Sequence, residues 1–282
     1  MEFWVSILKI LDTSMTTPTL YGPFHLFWWA VVVVSTVLLC TCCRRFSHGQ
    51  VCNVVLGVAI AVTVLEIYKQ INYTFDYTSG VVEASYQWYA FPFQFCSTPM
   101  YIGLLAGIFR KGKFHDYLSA YLATYAVFAG LCVMVYPGDV FCSTVGVNIQ
   151  TMVCHGSMIT VGLYLLGSGH VKLERKTLRK AMAVFAVTVS MAAVMNEIAY
   201  YTGLLEEHSF NMFYISPHCD PHLPVYSLVQ QVLPFPFCLM VYVAAFSAAA
   251  GIILLAAAGV KHLAANHKPH KTGCLSPAVR YH

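Results

Sequence analysis

A cysteine and a histidine lie at nearly the same depth in two long apolar segments of this chain, and together they can do covalent chemistry. Cys96 sits in Phe91-Pro92-Phe93-Gln94-Phe95-Cys96-Ser97, within the apolar segment 87–109. His155 sits in Gln150-Thr151-Met152-Val153-Cys154-His155-Gly156, within the apolar segment 145–167. Ionisable side chains are costly in lipid, so those retained there are functional candidates. A thiolate is a nucleophile, and a neighbouring imidazole can take the thiol proton and later protonate a leaving group. A thioester on Cys96 suits acyl transfer, in which one lipid donates its acyl chain and a second substrate accepts it. A cavity that excludes water favours transfer over hydrolysis. The plain alternative is a small packed cysteine and a hydrogen-bonded histidine, each common in membrane interiors.

The elements that must position these residues can be read from hydropathy. The 282 residues are 58% hydrophobic and 10% charged, and mean hydropathy is +0.65; soluble domains carry roughly 25% charged residues. Seven apolar stretches, near 20–43, 51–71, 87–109, 115–136, 145–167, 181–202 and 225–260, are long enough to cross a bilayer as helices of about 20 residues. The last is too long for one straight span, and Pro234 and Pro236 are expected to break or kink it. Continuous apolar runs exclude a transmembrane barrel, whose strands alternate. The expected fold is an all-α seven-transmembrane helix bundle. Of the 16 basic residues, all but Lys9 and Lys69 fall in alternate connections or the C-terminal tail. That places the N-terminus outside or in the lumen and the C-terminus in the cytoplasm. The net charge of +4 is this inside bias, and no nucleic-acid partner is implied. Residues 1–19 read as a lumenal interfacial segment, 20–260 as the membrane domain, and 261–282 as a disordered cytoplasmic tail.

At about 1.5 Å per helical residue, Cys96 and His155 both fall in the lumenal half of the membrane. His25, Glu66, Lys69, Gln94, Asn196, Glu197, Gln230 and Gln231 fall at a similar level, which suggests one shared cavity supporting the pair. Glu66 and Lys69, three apart on one helical face, can equally neutralise each other, and the amides can be interhelical hydrogen-bond donors and acceptors without further role. The lumenal connection 205–224 is rich in proline and aromatics and reads as a cap containing Asn211 and Asp220. Its His218, Cys219, Asp220 and His222 match no zinc spacing, so no metal or cofactor is expected. Cys142 and Cys219 lie on the same oxidising side and can form a disulfide.

Several ordered segments carry a family resemblance. Glu66-Ile67-Tyr68-Lys69, Phe93-Gln94-Phe95-Cys96, the stretch leading into His155, and Asn211-Met212 followed by Pro217 and Asp220-Pro221 resemble the YwaF-like integral membrane proteins, the group that includes vertebrate transmembrane protein 164. Ser97 departs from the histidine or other polar residue that often follows the family's cysteine. The resemblance implies an ether-phospholipid acyltransferase of the endoplasmic reticulum or Golgi, with Cys96 acylated, His155 as base and then acid, and phospholipid and lysophospholipid as substrates. The rival readings are a proton-coupled transporter using Glu66, Lys69, Glu197 and His155, and a lipid-binding membrane protein without chemistry. Receptor readings fail on motif: Arg110-Lys111-Gly112-Lys113 replaces the acidic-Arg-Tyr triplet after the third span.

Overall fold

A computed structural model describes residues 2–203, 210–219 and 224–266. Helix α1 (Glu2–Leu11) is amphipathic and precedes the long helices α2 (Pro23–Cys42) and α3 (His48–Asn72). Pro23 opens α2, where a missing N–H costs nothing. Ser47 and Gln50 form a capping box at the start of α3. A two-residue hairpin, β1 (Phe75–Asp76) with β2 (Glu83–Ala84), follows. Next come α4 (Thr98–Ile108), α5 (Gly112–Leu122), α6 (Tyr125–Val135), α7 (Val145–Gly167), α8 (Arg175–Thr202), α9 (Pro224–Val232) and α10 (Phe235–Asn266).

Helix α7 is the hub, with α2, α3, α5 and α6 all packed on it, while α8 packs on α5 and α10 packs on α6 and α8. Glycines permit the closest approaches. A Cβ on Gly130 of α6 would lie 2.5 Å from the carbonyl oxygen of His155, so α6 can press against α7 at the candidate histidine only because that side chain is absent. Gly112, at φ +85°, turns the chain from α4 into α5.

Six helical stretches are long and apolar enough to cross a membrane: α2, α3, α5 with α6 (Gly112–Val135), α7, α8 and α10. Helix α2 leaves Leu26, Phe27, Val34 and Leu38 exposed, a surface suited to lipid tails rather than water. The seventh expected span, 87–109, is not a continuous helix. Its first half is a one-turn 3-10 helix (Trp88–Ala90) and an irregular stretch, and only Thr98–Ile108 is α-helical. The reason lies in two prolines. Pro92 pushes Phe91 into an extended conformation (ψ 132°), and Pro99 fits a helix only in its first turn. The segment nevertheless runs the length of α3 in the opposite direction. The Ala90 carbonyl accepts from Gln70 near the end of α3, and the Arg110 carbonyl meets His48 at its start.

Of three other expectations, one is met and two change. The last apolar stretch does break at Pro234, between α9 and α10. Helix α10 continues to Asn266, past the boundary expected at 260. Cys142 and Cys219 are not joined in a disulfide. Cys142 is turned toward the Thr144 carbonyl beside the start of α7, and Cys219 is tucked against the Phe210 carbonyl under the cap.

Candidate functional site

Because Pro99 delays the start of α4, Cys96 lies just before that helix, in the break of its span, with Ser97 at the N-cap position. Its carbonyl oxygen is 3.9 Å from Cys154 Sγ, so Cys96 stands level with the residue adjoining His155. The expectation of equal depth survives, although the helical counting behind it does not apply to an irregular segment. Lys69 and Glu66 are the charged groups within electrostatic reach of the Cys96 thiol.

The histidine is buried, 5% exposed. Its Nδ1 lies 2.7 Å from the Thr151 carbonyl oxygen. Only an Nδ1–H can satisfy a carbonyl, so Nε2 carries the lone pair, and that buried nitrogen has no hydrogen-bond partner. The thiol and the imidazole are therefore not hydrogen-bonded to each other in this conformation.

Glu66 is the centre of a separate network. Oε1 accepts from Lys69, 2.8 Å, and Gln70, 2.7 Å; Oε2 accepts from Gln150 of α7, 2.9 Å. Gln70 also accepts from Tyr86. This network holds α3, α7 and the 86–90 segment together, and both oxygens of the buried carboxylate are hydrogen-bonded.

The cap is held by amides from two sides. Asn196 of α8 donates from Nδ2 to the Met212 carbonyl, 3.0 Å, and accepts at Oδ1 from the Met212 N–H, 2.7 Å. Gln94 donates to the Asn211 carbonyl, 3.0 Å, and accepts from the Phe213 N–H, 2.9 Å. Tyr242 donates to the Phe213 carbonyl, 3.2 Å. Asn211 accepts from the Ser216 N–H while its own Nδ2 is buried without a partner. These bonds fix Phe213 and Tyr214 at φ of 59° and 55°, a left-handed pair that ordinary residues avoid. The Phe213 ring is thereby driven among Phe93, Phe95 and Phe185, against the residue preceding Cys96.

Two expected members stand apart. His25 is fully buried, with Nε2 on the Met134 carbonyl, 2.8 Å, and Nδ1 accepting from the Tyr21 N–H, 3.0 Å; it pins α2 to α6. Glu197 pairs with His218 of the cap, 3.2 Å. Asp220 lies outside the described residues. By their hydrogen bonds these polar residues sort into groups around Glu66, the cap and His25. Sequence reasoning missed Gln70, Tyr242 and Cys154; a mid-span amide at Gln150 and the Pro92/Pro99 pair were the available signals.

An apolar groove of about 880 Å³ lies between α4, α5 and α8. Phe93, Thr98 and Tyr101 line one end, beside Cys96, and Lys113 and Phe114 line the other. Helix α4, which forms its floor, is about 16 Å long at 1.5 Å per residue. Tyr101, Phe114, Val187 and Met191 along it are 37–59% exposed, so the groove opens sideways.

Fold and site together define a multi-pass helical membrane protein with a thiol and an imidazole whose Nε2 is unpartnered in its interior. The sequence model of the TMEM164 family matches residues 20–254. The chain belongs to that family, as its resemblance implied, and the match runs from just before α2 into α10. No curated protein and no solved structure matches it.

Proposed function

We propose that this protein is a phospholipid acyltransferase working through an acyl-thioester on Cys96. It crosses the membrane seven times, the broken segment 87–109 making the third crossing, with its N-terminus lumenal and its C-terminus cytoplasmic, in the endoplasmic reticulum or Golgi. The observation that carries the reading is a nucleophile freed from helical geometry, flanked in the chain by Phe93 and Thr98, which line an apolar groove long enough for much of an acyl chain. The unpartnered lone pair of His155 Nε2 supports it.

In the first step the Cys96 sulfur attacks the ester carbonyl carbon of a phospholipid. The thiol proton passes to His155 Nε2, the C–O bond breaks, and the leaving alkoxide recovers that proton as lysophospholipid. In the second step His155 takes the hydroxyl proton of the acceptor lysophospholipid, whose oxygen attacks the thioester; the C–S bond breaks and the leaving Cys96 thiolate recovers the proton from His155. The imidazole comes within reach only when substrate is bound, since catalytic contacts are often long in an empty site. The cap residues Phe213 and Tyr214 shield the thioester from water, and the Asn211 Nδ2–H is a buried donor open to a substrate oxygen. A proton-coupled carrier is less well supported, because Glu66 and Glu197 are held in different networks.

The test is intact-protein mass spectrometry of detergent-purified wild type, Cys96→Ser and His155→Gln after incubation with mixed phospholipids. A hydroxylamine-labile fatty-acyl adduct on the wild type, absent from Cys96→Ser and slowed in His155→Gln, is expected. An adduct that persists in Cys96→Ser, or none on the wild type with any lipid, refutes the reading.

A further inference from the structure

At the opposite end of α3 from the Glu66 network is a cluster that the proposed chemistry does not use. His48 is the first residue of α3 and Cys52 lies one turn on, an i, i+4 pair on one face. His115, in the first turn of α5, meets them across the α4–α5 turn. The potential ligand atoms of His48, Cys52 and His115 all lie within 4.8 Å of one another. His170, from the α7–α8 connection, stacks on the His48 ring at 5.5 Å, while the His115 ring stands edge-on to it at 4.9 Å. Beside them is a cavity of about 260 Å³, lined also by Asp116, Ser119 and Glu174.

The geometry points to a divalent transition-metal site, with zinc as the ion its donors suit best: we propose that His48, Cys52 and His115 bind Zn²⁺ with an oxygen ligand from the cavity in the fourth position. Two imidazoles and a thiolate form the nitrogen–sulfur donor set of this borderline ion. Tetrahedral coordination at ordinary Zn–N and Zn–S lengths puts neighbouring N and S donors about 3.6 Å apart, and His48 Nε2 lies 3.6 Å from Cys52 Sγ. His115 is already oriented: Nδ1 lies 3.0 Å from the Ala106 carbonyl, so Nδ1 carries the proton and Nε2 the lone pair, the arrangement that fixes metal-ligating histidines. His48 Nε2 also lies 2.5 Å from the Arg110 carbonyl, and metal binding exchanges that contact for the ion. The Cys52 thiol releases its proton as it ligates. Lys172 and Lys180, the latter paired with Asp116, bring two positive charges to the rim, and Asp116 and Glu174 offset them. Occupied, the site would staple the start of α3 to the turn that ends α4, whose other end carries Cys96.

The full chain in detergent, stripped with chelator and dialysed, is titrated with Zn²⁺ for stoichiometry by elemental mass spectrometry and with Co²⁺ for absorption. One ion per chain is expected, and cobalt should show a thiolate charge-transfer band with the intense visible bands of tetrahedral coordination. Cys52→Ser should abolish the charge-transfer band, and His115→Gln should weaken binding at least tenfold. On the wild type alone, Zn²⁺ should slow maleimide labelling of Cys52 but not of Cys132, a readout that survives if a variant fails to fold. Absence of stoichiometric uptake, or uptake that leaves Cys52 labelling unchanged, overturns the proposal, as does cobalt bound without a thiolate band. None of these outcomes bears on the acyl chemistry at Cys96.

Discussion

Replacing Asn196 with alanine should release the cap, and the expected size of the effect follows from its bonds. Phe213 and Tyr214 in left-handed backbone cost about 1–2 kcal/mol each. Five hydrogen bonds from Asn196, Gln94 and Tyr242 oppose that strain, each contributing about 1 kcal/mol net. The margin is therefore about 1–3 kcal/mol before packing of the Phe213 ring is added. Asn196→Ala removes two of the five bonds and strands the buried N–H of Met212, at about 1–3 kcal/mol, while the Met212 carbonyl keeps only its long 3.5 Å bond from the Ile215 N–H. The turn should then open locally while the bundle stays folded. Hydrogen–deuterium exchange in detergent micelles reads this directly: the Met212 and Phe213 amides should exchange at least about 30-fold faster, the equivalent of roughly 2 kcal/mol. Asn196→Asp keeps the acceptor and loses the donor, so it should fall between. Unchanged exchange at Met212 in Asn196→Ala would refute the view that these amides hold the turn.

Gly130→Ala sets a methyl group 2.5 Å from the His155 carbonyl and should cost about 1–3 kcal/mol as α6 and α7 are forced apart, visible as a lower Tm; an unaltered Tm would show that the contact yields freely. Lys69→Ala leaves the buried Glu66 carboxylate without its counter-ion and should destabilise by about 3–5 kcal/mol, whereas Lys180→Ala breaks an exposed pair with Asp116 and should cost under about 1 kcal/mol. Denaturant unfolding of the two variants tests the ordering. The Tyr77 phenol, in the connection after α3, is pushed up to about 12, first by its hydrogen bond to Asp12 and then by burial. Because the shift is upward, this contribution is complete below the ordinary tyrosine value of about 10 and is lost as pH rises through 12. Proteolysis of the N-terminal segment should accelerate across that window in wild type, while Tyr77→Phe should show no such step.

Much of the architecture is legible without coordinates because a membrane imposes length and polarity on every crossing. Six of the seven apolar stretches became long helices, and the break at Pro234 follows from proline's missing N–H. The third stretch misled because hydropathy measures only transfer from water, while Pro92 and Pro99 govern backbone conformation. Reading those two prolines as a pair would have placed Cys96 outside a helix. That Cys142 and Cys219 do not join in a disulfide was beyond reach, since a shared compartment says nothing of the separation or direction of two side chains.

The sequence by itself determined that this is a helical membrane protein and that Glu66 and Lys69 pair. Each follows from local periodicity or from the cost of charge in lipid. Only the tertiary structure decided which distant groups meet: Gln150 on Glu66, Asn196 and Gln94 on the cap, His25 on Met134, and His48 with Cys52 and His115. Depth along the membrane normal is one coordinate and can be counted along a chain. Rotation and neighbour order around the bundle are the other two, and they are set by how closely glycines such as Gly130 let particular helices approach.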